Sequence, residues 1–127
     1  MHEIGLCEGV LGVALDAAAG EDVKRVRLRV GRLQGVVPAV FDQAWEMVSE
    51  GTSASGSRVE LVDVPVEVRC RACGQDTEAA EGPFSCGQCG SPDVEIVSGD
   101  ELVVEEVELT AGEIRRNPAL VASGEEV

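Results

Sequence analysis

The sequence predicts an α+β fold, in which two helices pack on a small three-stranded sheet and a four-cysteine module is inserted before the last strand. Two segments repeat apolar residues at helical spacing, three segments have the composition of strands, and four cysteines lie between the second and third strands. The chain has 127 residues, 44% of them hydrophobic, so it is long enough to bury one core. Because Phe41, Trp45 and Phe84 are its only aromatic residues, that core must be largely aliphatic.

The first helix is predicted over residues 3–19, and Gly20 can end it. Its apolar face has the spacing of one side of a helix and contains Ile4, Cys7, Leu11, Ala14 or Leu15, and Ala18. Cys7 therefore has two interpretations, a buried structural thiol or a reactive one. The apolar neighbours favour the structural thiol.

The segment KRVRLRV predicts a half-buried strand, because apolar and basic residues alternate strictly along it. Val26, Leu28 and Val30 would face the core, and Arg25, Arg27 and Arg29 would face the other side. This basic face is either a phosphate-binding surface or a solvated face paired with the glutamates of ELVVEEVEL. The scarcity of aromatic residues and the excess of acid favour pairing across strands.

The second helix is predicted to begin at Pro38, after the loop GRLQGVV, and to end before Gly51. RVELVDVPVEV, residues 58–68, is the second predicted strand, and ELVVEEVEL, residues 101–109, is the third. The weakly patterned tail over residues 110–127 is predicted to be loosely ordered.

These elements predict a domain organisation in two parts. Residues 1–65, completed by the strand 99–109, form an α+β domain, and residues 66–98 form a small module that contains the remaining cysteines. A module so poor in apolar residues needs a further source of stability, such as a bound metal.

The charge balance restricts the classes of partner. Acidic residues outnumber basic ones by 24 to 10, so the formal net charge is −14. Such a surface repels phosphate backbones, which argues against nucleic acid.

No segment approaches the roughly 18 apolar residues that span a membrane. The apolar run over residues 10–20 has no basic segment before it and contains Asp16, so it lacks the features of a signal peptide. We therefore expect a soluble cytoplasmic protein, whose cysteines are metal ligands rather than disulfides.

Four cysteines form a metal-binding pattern, since two CxxC pairs, each followed by glycine, are separated by twelve residues. The ligands are Cys70, Cys73, Cys86 and Cys89. Each pair can fold into a tight turn that directs two sulfurs at one ion, and the glycine permits the positive φ that such a turn needs. Zinc is the expected metal and iron of the rubredoxin type the alternative. A closed set of four thiolates has no open position for substrate, so the zinc is expected to be structural.

The amino terminus is a second candidate metal site. The only histidine of the chain is His2. A terminal Met-His offers an α-amine, an imidazole and backbone amides within chelating reach, and such nitrogen-rich, square-planar sites suit Ni²⁺ or Cu²⁺. If the first helix begins here, its first amides have no intrahelical acceptor and are free to act as ligands. The alternative is an inert, exposed terminus.

Several motifs occur together in one order over residues 1–109: MHE at the start, VGRLQGVVPAVFDQAWE, the paired CxxCG units, CGS and SGDELVVEEVEL. In this combination the chain resembles the HypA/HybF family of hydrogenase nickel-incorporation proteins. The tail lies outside the resemblance. Two positions depart from the pattern expected of the family: Gly5 replaces a serine and Gly87 replaces a proline in the second cysteine turn.

The resemblance implies a nickel metallochaperone that is not an enzyme and that delivers Ni(II) for insertion into the large subunit precursor of [NiFe] hydrogenase. It implies nickel ligands at Met1, His2 and Glu3: the α-amine, the imidazole and amide of His2, and the amide of Glu3. It implies zinc on the four cysteines, which form a zinc-ribbon module, and a nickel-handling GTPase, HypB, as partner. Some members also serve urease, and a homodimer is an open alternative.

Three other functions compete with this one. A zinc-ribbon adapter would bind nucleic acid or protein without a role in nickel transport. A metalloenzyme would need an open metal position and a nearby acid–base residue, for which the single histidine is insufficient. A scaffold would have an inert terminus.

Overall fold

The structure, a computed structural model, describes residues 2–79 and 84–116, except for the side chain of His2. The elements are helix α1 (His2–Ala18), strand β1 (Val23–Gly31), a short 3-10 helix (Arg32–Gln34), helix α2 (Pro38–Ser49), and strands β2 (Arg58–Val64), β3 (Glu67–Cys70), β4 (Asp76–Glu78), β5 (Val94–Ser98), β6 (Leu102–Leu109) and β7 (Ile114–Arg116). The described residues form two compact units, the first from residues 2–29, 36–62 and 102–116, the second from residues 30–35, 63–79 and 84–101.

Both helices lie in the first unit, where α1 packs against α2 and β6. The buried face of α1 has helical spacing and consists of Cys7, Val10, Ala14 and Ala18. The prediction is wrong at Ile4 and Leu11, which are only half-buried, and Val10 takes a place in the core instead. Helix α2 has proline in its first turn and buries Phe41, Ala44 and Trp45. Within the described ranges, neither helix combines the length and the apolar character needed to cross a bilayer.

The larger sheet has four strands in the order β2-β1-β6-β7. The inner sides of β1 and β6 contribute the aliphatic part of the core: Val23, Val26, Leu28, Leu102, Val104, Val107 and Leu109. The alternation predicted for KRVRLRV is therefore confirmed, because its valines and leucine are buried and its arginines are half-buried.

The arginines of β1 form ion pairs with glutamates of the neighbouring strands. Arg25 contacts Glu108 at 2.9 Å through Nε and Glu60 at 2.6 Å through Nη1. Arg27 and Arg29 contact Glu105 at 3.4 and 3.5 Å. The predicted pairing across strands is confirmed, and the basic face is largely neutralised by its own sheet.

The second unit contains a three-stranded antiparallel sheet in the order β4-β3-β5. The segment Arg32–Gln34 lies against residues 99–100, since Leu33 donates from its amide to the carbonyl of Gly99 at 2.8 Å and Gln34 donates from Nε2 to that of Asp100 at 2.7 Å. The backbones approach so closely here that a Cβ on Gly31 would lie 2.0 Å from the carbonyl oxygen of Gly99.

The α+β class, the two helices and the three predicted strand regions are confirmed, with two corrections. The strand predicted over residues 58–68 is divided at Pro65, so that β2 and β3 belong to different sheets. Proline fixes φ and has no N–H to donate, which ends the pairing of a strand. The second correction is β7, a fourth strand of the larger sheet, in a region that was expected to be loosely ordered. Residues 117–127 lie outside the described part of the chain.

Candidate metal sites

The four predicted zinc ligands form one cluster in the second unit. The sulfur atoms of Cys70, Cys73, Cys86 and Cys89 all lie within 4.8 Å of one another. Cys70 and Cys89 approach to 3.6 Å between their Sγ atoms, and Cys73 and Cys86 to 3.7 Å. A tetrahedral zinc ion with Zn–S bonds of about 2.3 Å separates its sulfurs by about 3.8 Å. The four sulfurs therefore lie close enough together to hold one zinc ion.

The two turns that carry the cysteines repeat the same hydrogen bonds. In the first turn, Cys70 Sγ accepts from the amides of Ala72 and Cys73, both at 3.3 Å. In the second turn, Cys86 Sγ accepts from the amides of Gln88 at 3.3 Å and Cys89 at 3.4 Å.

A glycine closes each turn. Gly74 donates from its amide to the Cys70 carbonyl, and Gly90 donates to the Cys86 carbonyl, each at 2.9 Å. Their φ values are +79° and +78°, a conformation that favours glycine and explains why each CxxC is followed by one.

These amides also change the acidity of the thiols. The pKa of Cys86 falls from 9.0 to about 6, because the backbone amides of Cys89 and Gln88 donate to its sulfur. The pKa of Cys70 is lowered as well, chiefly by the amide of Cys73. Each turn thus contributes one cysteine that favours the thiolate, which is the form that binds metal.

Of the predicted nickel ligands, His2 and Glu3 belong to the first turn of α1, in the first unit. Met1 and the side chain of His2 lie outside the described residues, whereas the backbone of His2 begins the helix. The carboxylate of Glu3 accepts a hydrogen bond from the amide of Val37 at 3.4 Å, just before α2. The amides of the first helical turn have no carbonyl four residues earlier within the helix.

Cys7 is fully buried and donates from its thiol to the carbonyl oxygen of Phe41 at 3.6 Å. Burial raises its pKa to about 12, and the nearby carboxylates of Glu3 and Asp42 add to this effect. The thiol is therefore protonated and inaccessible, and its interpretation as a structural thiol is confirmed.

Thr77 is a further residue in contact with the second cysteine turn. Its Oγ1 accepts a hydrogen bond of 3.0 Å from the amide of Gly87, inside the second cysteine turn. Thr77 lies in β4, nine residues before Cys86. No local pattern in the sequence indicates this contact, because it depends on how β4 and the turn meet.

The family model and the similar proteins of known sequence all point to the same protein family. Residues 1–109 match the sequence model of the family HypA, described as hydrogenase/urease nickel incorporation, metallochaperone. The hydrogenase maturation factor HypA of Nostoc sp. is 32% identical over 109 residues, which cover 86% of this chain and 96% of the relative. The factor of the same name from Acidithiobacillus ferrooxidans is 34% identical over 112 residues, with coverages of 86% and 99%.

Two solved structures share the fold. The solution structure of the Ni metallochaperone HypA from Helicobacter pylori has a TM-score of 0.63 at 22% identity, covering 86% of this chain and 97% of that one. A second solution structure, of HypA protein, has a TM-score of 0.64 at 23% identity, with coverages of 87% and 98%.

The family match over residues 1–109 and the identity to the two relatives agree with the four-cysteine cluster found in the structure. The chain therefore belongs to the HypA family of hydrogenase and urease nickel-incorporation proteins, and it is a metallochaperone rather than an enzyme.

Proposed function

We propose that this chain binds Ni(II) at its amino terminus and delivers it for insertion into [NiFe] hydrogenase. The ligands would be the α-amine of Met1, the imidazole and amide of His2, and the amide of Glu3. The observation that supports this most is that α1 includes His2, so that the amides of His2 and Glu3 lie in a first turn without intrahelical acceptors.

The chemistry of the terminus suits a metal that is carried and not retained. Deprotonated amides are good ligands for square-planar Ni²⁺, and their use here would break no helix hydrogen bond. Their negative charge would offset the positive end of the helix dipole, which otherwise disfavours a cation. A site at a chain end is open to a partner, whose ligands can replace these nitrogens one at a time.

The zinc site has a different role in this proposal. Zinc would be held by Cys70, Cys73, Cys86 and Cys89 and would stabilise the second unit. Four thiolates leave no position for a substrate, so the ion does no chemistry. Rubredoxin-type iron uses the same donors, and metal analysis of the purified protein distinguishes the two metals.

The proposed partners are the hydrogenase large subunit precursor, which receives nickel, and the GTPase HypB. Urease maturation proteins are further candidate clients, and a second copy of the chain is a candidate partner as a homodimer. We place this activity in the cytoplasm, with neither nucleic acid nor membrane as partner. The ion pairs of Arg25, Arg27 and Arg29 support the exclusion of nucleic acid, because they occupy the cations that would contact phosphate.

Calorimetry tests the nickel site on the full chain, after intact mass has confirmed a free Met1. Three proteins would be compared with the wild type: His2→Ala, a version with Gly-Ser added before Met1, and a control with Gly-Ser added after Val127. We expect the first two to lose tight Ni²⁺ binding and the control to retain it, with one zinc per chain in all four. Undiminished nickel affinity in the amino-terminally extended protein would contradict the assignment.

A further inference from the structure

The two cysteine turns differ in how the residue after the first cysteine is anchored. In the first turn, the amide of Arg71 donates to the main-chain carbonyl of Asp93 at 2.9 Å. In the second turn, the equivalent amide is that of Gly87, and its acceptor is the side-chain hydroxyl of Thr77 at 3.0 Å. A single hydroxyl thus replaces a main-chain bond at the second turn.

Thr77 is well placed for this contact. It lies in β4, where it pairs with Val68 of β3, two residues before the ligand Cys70. Its side chain is half-buried. The hydroxyl therefore connects the sheet that carries the first turn to the turn that carries Cys86 and Cys89.

The close packing of Thr77 against the second turn requires a residue without a side chain at position 87. A Cβ added to Gly87 would lie 3.3 Å from both Cβ and Oγ1 of Thr77, closer than ordinary side-chain contacts. Because Gly87 has no side chain, the turn can lie close to Thr77. At this short distance the amide of Gly87 donates a hydrogen bond to the Thr77 hydroxyl.

We infer that Thr77 is a positioning residue for the metal centre, whose hydroxyl holds the second cysteine turn against β4. Through this bond the Cys86 sulfur is kept 3.7 Å from that of Cys73, within the geometry that one tetrahedral ion requires. Loss of the hydroxyl leaves the Gly87 amide without its acceptor and allows the turn to move away. The inference rests on the proposed zinc site and is independent of the nickel site.

The test compares three zinc-loaded variants of the full chain: Thr77→Val, which keeps the shape of the side chain, Thr77→Ser, which keeps the hydroxyl, and Thr110→Val, a control with the same substitution in the turn that follows β6. The rate of zinc transfer to an excess of a chromogenic chelator is the first measurement. We expect Thr77→Val to release zinc roughly tenfold faster, the usual effect of removing a residue that orients metal ligands. Thr77→Ser and Thr110→Val should stay within roughly twofold of the wild type.

Amide hydrogen exchange is the second measurement, because a general loss of stability would affect both turns equally. In Thr77→Val we expect Gly87 to lose protection while the amide of Gly74, in the first turn, keeps it. Zinc release at the wild-type rate from Thr77→Val, or equal loss in Thr77→Ser, would overturn the role of Thr77. A wild-type chain that binds no metal on its four cysteines would overturn the zinc assignment together with it.

Discussion

The guanidinium of Arg115 donates from Nη1 to the carbonyl oxygen of Ala18, the last residue of α1, at 3.0 Å. The same nitrogen donates to Ala17 at 2.9 Å. The final carbonyls of a helix have no intrahelical donor, and a cation beside them also interacts favourably with the helix dipole. Arg115 lies in β7, beyond the residue at which the family match ends. This chain thus caps its first helix with a segment outside the family domain.

Replacement of Arg115 by glutamine should destabilise the first unit by about 1–2 kcal/mol, through loss of a charged hydrogen bond and of the dipole interaction. The side chain is only 29% exposed, so solvent weakens this interaction less than that of a surface ion pair. Urea unfolding followed by circular dichroism measures the change.

The matched control for this cap is Arg116→Gln, which removes the same charge from the neighbouring, exposed position of β7. It should change stability by no more than about 0.5 kcal/mol. Equal losses in the two variants would show that the cap contributes nothing beyond net charge.

Gly31 and Gly12 should respond to alanine in opposite directions. At Gly31 the new Cβ would lie 2.0 Å from the carbonyl oxygen of Gly99, so the backbone must shift, and we expect a loss of about 2–4 kcal/mol. At Gly12, within α1, the Cβ meets nothing within 4 Å, and alanine should stabilise the helix by about 0.5–1 kcal/mol.

Thermal and urea unfolding of both alanine variants measure whether each substitution lowers or raises the free energy of unfolding. Because α1 lies in the first unit and Gly31 in the second, hydrogen exchange should place each effect in its own unit. A Gly31→Ala variant as stable as the wild type would mean that residues 31 and 99 are further apart than the structure shows.

Burial of Cys7 should make stability fall at alkaline pH. The pKa is about 12 in the folded protein and near 9.0 when the residue is exposed. Between these values the unfolded chain loses the thiol proton and the native chain keeps it, so the unfolded state gains free energy from deprotonation. The contribution of Cys7 to the free energy of unfolding is complete below pH 9.0. It is lost as pH rises toward 12, at up to about 1.4 kcal/mol per pH unit.

The pH dependence is checked by the difference in unfolding free energy between the wild type and Cys7→Ala. Other groups titrate in both proteins and cancel in this difference. Above pH 9.0 the advantage of the wild type should decrease. A constant difference would show that Cys7 titrates in the folded state at an ordinary pKa.

Much of the first unit could be predicted because its signals are local. The burial of Cys7, Ala14 and Ala18 follows from helical spacing, and that of Val26 and Leu28 from alternation along β1. The four-cysteine cluster was equally predictable, since CxxC followed by glycine defines each turn within a few residues. For these features, neighbours along the chain determine which way a side chain points.

Strand β7 could not be predicted in this way. It has three residues, none of them fully buried, and it becomes a strand only because Val107 and Glu108 of β6 pair with Arg115 and Ile114. The division at Pro65 could have been predicted from the sequence, because proline disrupts a strand. The apolar residues on both sides of it nevertheless favoured one continuous strand.

The sequence by itself determined the α+β class, most core positions of the main helices and strands, and the four cysteines as one cluster suited to a metal ion. Each of these depends on residue spacing, which the sequence contains directly. Only the tertiary structure decided that Thr77 anchors the second cysteine turn, that Arg115 caps α1 and that the arginines of β1 are paired with glutamates at particular positions. Those contacts join residues that are 10, 97 and 35 to 83 positions apart, so their geometry exists only once the chain has folded.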